Sequence, residues 1–199
     1  MQLQFNVLTI IWLLPSLITL VVLRIKRRPW EKISSVLGWK LGSPVSYLWA
    51  LLIFFLTALP VILVALFVFP DLYRHPSHEV SLYSYAHLGL NFFSILSAFV
   101  NEFFFTALGE EVFFRGLLGG WLMQRLGFWV GNTLQTLIFL LPHALVLLID
   151  ASLWPLLAFP LLLGWLSGWL RYTSDSILPG MLVHALGNTL SDVLAMWMG

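Results

Sequence analysis

The chain has 199 residues, 60% hydrophobic and 10% charged, with a formal net charge of +1 and a mean hydropathy of +0.93. Globular domains carry about 25% charged residues, so this composition is that of an integral membrane protein, one all-α bundle with no stretch long enough for a soluble module. The near-zero charge gives no reason to invoke nucleic acid, and the absence of cysteine excludes disulfides, thiolate metal sites and a cysteine nucleophile.

Leu3 to Leu23 reads as a first span of about the 20 residues a bilayer requires. It lacks a basic n-region and a small-residue cleavage site, which makes it an uncleaved anchor rather than a signal peptide. Arg24, Lys26, Arg27, Arg28, Lys32 and Lys40 follow. The positive-inside rule places that loop in the cytoplasm and the N-terminus outside, in a multi-pass protein of the cell membrane. Val45 to Phe69 is the second span, interrupted by Pro60. Asp71 to Tyr85 is a polar outer loop in which Arg74 is the one basic residue. Its His75 and His78 are read as solvated, because a closed metal site needs three or four ligands.

From Ala86 to Met123 the chain is helical for longer than one crossing needs, as one tilted helix or as two, with Gly109 a place to break or bend. Phe128 to Ile149 is the next span, followed by a short turn at Asp150 and Ser152. Leu153 to Leu170 crosses back, with Gly164 and Gly168 as a small-xxx-small pair that admits a close neighbour. Arg171 to Ser176 reads as a polar cytoplasmic turn, and Ile177 to Met198 as the last of about six spans. The chain divides into N-terminal spans over 1–85 and a core over 86–199.

Three groups of polar residues interrupt these apolar stretches, and an ionisable group in hydrocarbon is costly unless paired or functional. The first is Glu110, Glu111 and Arg115. Glu111 and Arg115 are four apart with the acid N-terminal, the favoured order on a helix face. Glu110 is turned about 100° away. The second is His143, one turn after Phe139, and the third is His184 with Asn188 one turn later. Singly, each has a bland reading: an intramembrane histidine or asparagine is often a helix–helix hydrogen bond. Together they are two acids, two imidazoles and an amide on three segments, from which a bundle gains little. Glu102, eight residues before Glu110, and Asp192, four after Asn188, are candidate supporting groups.

Glu110-Glu111-x-x-x-Arg115 with Gly116, Phe139-x-x-x-His143 and His184-x-x-x-Asn188 resemble the three motifs of the CPBP (Abi) intramembrane proteases. This is the family of type II CAAX prenyl endopeptidases and of bacteriocin-processing or immunity proteins. The run LLLGWLSGWLRYTSDSILPGMLVHALGN is similar to the segment leading to that family's second histidine motif. The resemblance covers roughly Phe103 to Leu190. It implies a helical bundle with a polar cavity inside the membrane. It also implies hydrolysis of a membrane-associated peptide or protein, CAAX-type or leader-peptide, with no cofactor and no metal. Glu110 would be the base that activates water, with His143 helping to hold it. His184 and Asn188 would stabilise the oxyanion, and Glu111 with Arg115 would fix the first motif helix.

Such chemistry needs a base within hydrogen-bond reach of a water and donors aimed at the developing charge. Two alternatives stay open. One is a zinc protease, since two histidines and a glutamate are a known ligand set. The other is a non-catalytic scaffold or immunity protein. A transporter is a poor fit for about six spans without an evident inverted repeat. Substrate identity is not legible.

Overall fold

The computed structural model describes residues 7–75, 85 and 87–199. Among them the chain is all helical, with eight helices in order. They are α1 (Val7–Ile25), α2 (Trp30–Leu37), α3 (Pro44–Val68), α4 (Pro70–Arg74), α5 (Phe92–Leu126), α6 (Phe128–Leu148), α7 (Ala151–Ser174) and α8 (Leu178–Met198). His78 and Ala86 lie outside the described residues, as does the start of the first expected span.

Short polar residues set the boundaries. Ser43 caps α3 by accepting the Ser46 N–H, with Pro44 next in line where its missing N–H costs nothing. Asn91 Oδ1 accepts from the N–H groups of Phe93 and Ser94 at 3.0 and 3.1 Å to open α5. Asp150 does the same for Ser152 at 2.8 Å before α7. α2 stops at Gly38, which takes a left-handed φ of 66°. Gly127, at φ 78°, is the whole connection between α5 and α6. These two helices then pack so closely that a Cβ on Gly131 would sit 2.5 Å from the Met123 nitrogen.

Four helices, α3, α5, α6 and α7, are long and apolar enough to cross a membrane, which makes this a multi-pass membrane protein. α1 is apolar but shorter in that respect, and α8, although 21 residues long, does not meet the same hydropathy. The reason is position. α8 lies between α3, α5 and α7, and each of the four buried apolar clusters contains residues from it: Leu194 and Ala195, Val183, Met196, and Met181 with Ala185. A helix shielded by its neighbours has no need of an apolar surface. By contrast α3 turns Leu48, Phe55, Leu56 and Leu59 outward.

Of the two readings of Ala86 to Met123, the structure has the single helix, a continuous 35 residues over Phe92–Leu126, and Gly109 does not break it. Gly109 lets α1 approach instead, since a Cβ there would come within 3.0 Å of the Thr9 carbonyl oxygen. α5 is π-helical over Glu102–Ala107 and Glu111–Gly119, on either side of the first motif acid. Pro60 does not interrupt α3, which runs through it and ends in a π-helical turn at Val64–Val68.

The expected polar turn at Arg171 is the last turn of α7, with Arg171 only 5% exposed. Its Nη1 donates to Asp175 Oδ1 at 2.8 Å and its Nη2 to the Ser35 carbonyl at 3.0 Å, while Lys40 pairs with the other Asp175 oxygen. This clasp ties α2 and the Lys40 loop to the end of α7.

Partial burial pushes the Asp175 carboxyl up, but Lys40 and Arg171 outweigh it and hold it below the ordinary carboxylate value. A depressed acid stabilises the fold above its unfolded pKa and loses that contribution as pH falls through the folded one. Thermal unfolding in detergent micelles should therefore show an acid-side loss that is smaller in Asp175→Asn than in the parent. The glycine stripe on α7 gives a second test. A Cβ on Gly168 would lie 1.8 Å from Asn132 Oδ1, whereas on Gly187 its nearest neighbour is Leu163 Cδ1 at 3.4 Å. Gly168→Ala should destabilise by about 1–3 kcal/mol, the usual cost of overpacking, and Gly187→Ala should leave the midpoint unchanged or raised.

Candidate active site

α5 and α8 face each other through polar rungs. Arg115 Nη1 lies 3.0 Å from Glu111 Oε1, one turn apart on α5, with side chains 1% and 0% exposed. His184 Nδ1 donates to the same Glu111 oxygen at 2.9 Å from α8. Donation from Nδ1 fixes which ring nitrogen is left, as in other oriented imidazoles. The free Nε2 lies 3.7 Å from Glu110 Oε2, just beyond direct hydrogen-bond reach.

The surroundings explain why a charge pair fits there. The Arg115 guanidinium lies 3.9 Å from the centroid of the Phe139 ring on α6, a cation–π contact strengthened by exclusion of water. Gly164 of α7 and Gly180 of α8 leave the room: a Cβ on the first would come within 3.2 Å of Arg115 Nη2, on the second within 3.3 Å of Glu111 Oε2. Hydrogen bonding is incomplete. Glu110 Oε2, Glu111 Oε2, Arg115 Nε and Arg115 Nη1 are buried without a hydrogen-bond partner among the described residues. The Arg115–Glu111 contact is thus an ion pair whose N–H is not aligned with the oxygen.

One and two turns further along α8, Asn188 donates from Nδ2 to Glu102 Oε2 at 2.8 Å, and Asp192 is 4% exposed with Oδ2 unpartnered. The sequence offered Glu102 and Asp192 as supporting groups. What it did not reveal is that Asn188 has one of its two amide protons already committed to a carboxylate. On α6, His143 donates from Nδ1 to the Phe139 carbonyl at 2.9 Å and rests against the Phe139 ring at 4.5 Å between centroids, which leaves Nε2 free.

A pocket of about 130 Å³ is lined by Arg115, Phe139, His143, His184 and Asn188 together with apolar residues of α3 and α7. The Glu110 side chain is outside this lining and reaches it through His184. All six motif residues, Glu110, Glu111, Arg115, His143, His184 and Asn188, are therefore linked, by α5–α8 contacts or by the pocket wall. No group of three or more His, Asp or Glu side chains among the described residues is arranged to hold a metal ion.

Both members of the pair are buried. Arg115→Ala should cost about 3–5 kcal/mol by stranding Glu111. Glu111→Gln in the same background should recover part of it, because an amide leaves no unpaired charge. Thermal unfolding of the purified single and double variants measures both, and equal losses in the two would refute the assignment.

No curated protein and no solved structure matches this chain. A family model does match residues 92–190, the stretch from the start of α5 through Leu190 of α8, and it is described as Type II CAAX prenyl endopeptidase Rce1-like. That stretch contains every residue of the three motifs. Over it, the chain belongs to the Rce1-like type II CAAX prenyl endopeptidase (CPBP/Abi) family.

Proposed function

We propose that the protein is an intramembrane endopeptidase that hydrolyses a membrane-associated peptide or protein with a glutamate-activated water. The observation that carries this reading is the buried, unpartnered Oε2 of Glu110 facing a histidine nitrogen across 3.7 Å. A water hydrogen-bonded to both groups at that separation sits beside the pair rather than between them. In this reading Glu110 takes the proton of that water as its oxygen adds to the scissile carbonyl. His184, held by Glu111, donates from Nε2 to the resulting oxyanion in its doubly protonated form, and Asn188 donates its second amide proton. His143 Nε2 steadies the water from the pocket wall. The proton on Glu110 then passes to the leaving amine.

The same reading makes α1 and α8 the fifth and sixth spans, around a polar cavity at the α5–α8 rungs. Its N-terminus is outside and the basic loop between α1 and α3 inside, by the distribution of Lys and Arg. The family match supports a protease and leaves open whether the peptide is prenylated or a leader sequence.

Glu110→Gln should abolish cleavage of a reconstituted peptide substrate while the fold is kept, since an amide takes no proton. Asn188→Ala should lower the rate by about 10²–10³, the usual effect of removing one oxyanion donor. A strong chelator should leave the wild type active. Chelator-sensitive cleavage restored by Zn²⁺ would assign the same residues to a zinc enzyme. Normal biological activity of Glu110→Gln would assign them to a non-catalytic scaffold or immunity protein.

A further inference from the structure

The corner between α1 and α2 has no part in the reaction above, yet it is built. α2 is eight residues long and buries Ile33 and Leu37 against the bundle. Its position is fixed from three sides. The Leu37 carbonyl oxygen would lie 2.5 Å from a Cβ on Gly116, so only glycine at that point of α5 admits α2. Arg171 reaches across to the Ser35 carbonyl, and Trp39 closes back on α2 by donating its N–H to the Ser34 carbonyl at 2.8 Å. Held this way, α2 leaves an apolar groove of about 320 Å³ against α1 and α5, walled by Leu13, Leu17, Leu20, Trp30 and Trp39.

At Ser34 the groove meets a second, polar basin of about 550 Å³ that includes Lys32, Lys40 and Glu31. Arg24, from the last turn of α1, stacks over the Trp30 ring at 4.8 Å, which brings a guanidinium to the groove's mouth. Lys26, Arg27 and Arg28 are exposed in the connecting turn. Residues 24–40 thus hold six basic side chains and one acidic one, Glu31.

We propose that this corner binds an anionic phospholipid, one acyl chain lying in the groove and the phosphate held among the basic side chains around its mouth, Arg24 and Lys32 included. Charge complementarity selects the occupant. An apolar slot alone suits any lipid chain, whereas a slot that opens onto a cluster of basic residues beside tryptophan suits one with an anionic headgroup. Lys40 is engaged by Asp175, which leaves Arg24, Lys26, Arg27, Arg28 and Lys32 as the cations from which the phosphate draws its partners. The site stands apart from the protease reading and survives its failure.

The test uses the full chain in phosphatidylcholine vesicles, with quenching of tryptophan fluorescence by brominated phosphatidylglycerol compared with brominated phosphatidylcholine. Wild type should bind the anionic lipid saturably and more tightly than the zwitterionic one. Arg24→Gln and Lys32→Gln should each reduce that preference by about fivefold, the contribution of one basic residue at an anionic surface. Leu17→Phe, which fills the groove without changing charge, should weaken phosphatidylglycerol binding as well. Arg125→Gln, at the other surface arginine stacked on a tryptophan, should change nothing. Equal affinity for the two lipids, or an equal loss in Arg125→Gln, would reduce the effect to general surface charge and overturn the site. Displacement of the bound lipid by a farnesylated peptide would give the groove to a substrate and overturn the occupant.

Discussion

Everything near the motifs is arranged around one buried charge pair. Glu111 and Arg115 are almost wholly removed from solvent. Either one alone would cost several kcal/mol in such surroundings, more than their mutual attraction returns unless the remaining polar atoms are served. Four helices take part in serving them. α5 supplies both members, α6 supplies the Phe139 face, α7 and α8 supply glycines where a methyl group would collide, and α8 adds the His184 ring. The residues that accommodate the pair are the same ones that line or approach the pocket. Satisfying an electrostatic demand and shaping a site are here one operation.

The second rung, Glu102 to Asn188, has a different character. An asparagine in an apolar environment can point its oxygen or its nitrogen toward a cavity, and a substrate carbonyl is served only by the nitrogen. Asn188 donates from Nδ2 to Glu102 Oε2, so this contact sets which end of the amide turns toward α5. Specific orientation is thereby obtained from a residue that itself stays outside the pocket lining. Asp192, one turn on, extends this line of buried polar groups toward the far end of α8.

The sequence carried the extents of the later helices well, whether they face lipid or protein. α3, α6 and α7 begin and end within a few residues of where hydropathy and turn residues put them. α8, expected over Ile177 to Met198, is found over Leu178–Met198, although helices surround it and its hydropathy falls short of the other spans. Arg171 misled: a lone arginine after an apolar run looks like a turn in water, and only the approach of Ser35 and Asp175 from distant sequence makes it an interior residue. In the motifs, the four-residue spacing of Glu111 and Arg115 was legible, since it is a property of one helix. The partners of His184 and Asn188 were not, because they depend on the register of α8 against α5. The π-helical stretches flanking Glu110 were not legible either. Widened turns change which side chains share a face and leave no periodic trace in composition.

The polarity of α8 bears on how such a chain is made. A segment entering a bilayer alone is judged by its own side chains, and a central aspartate or a histidine weighs against it by a few kcal/mol each. His184 and Asn188 have their partners on α5, and that helix is synthesised first. The earlier helices therefore act as the solvent for the last one. The contacts between α5 and α8 can form only once α8 has joined the helices made before it.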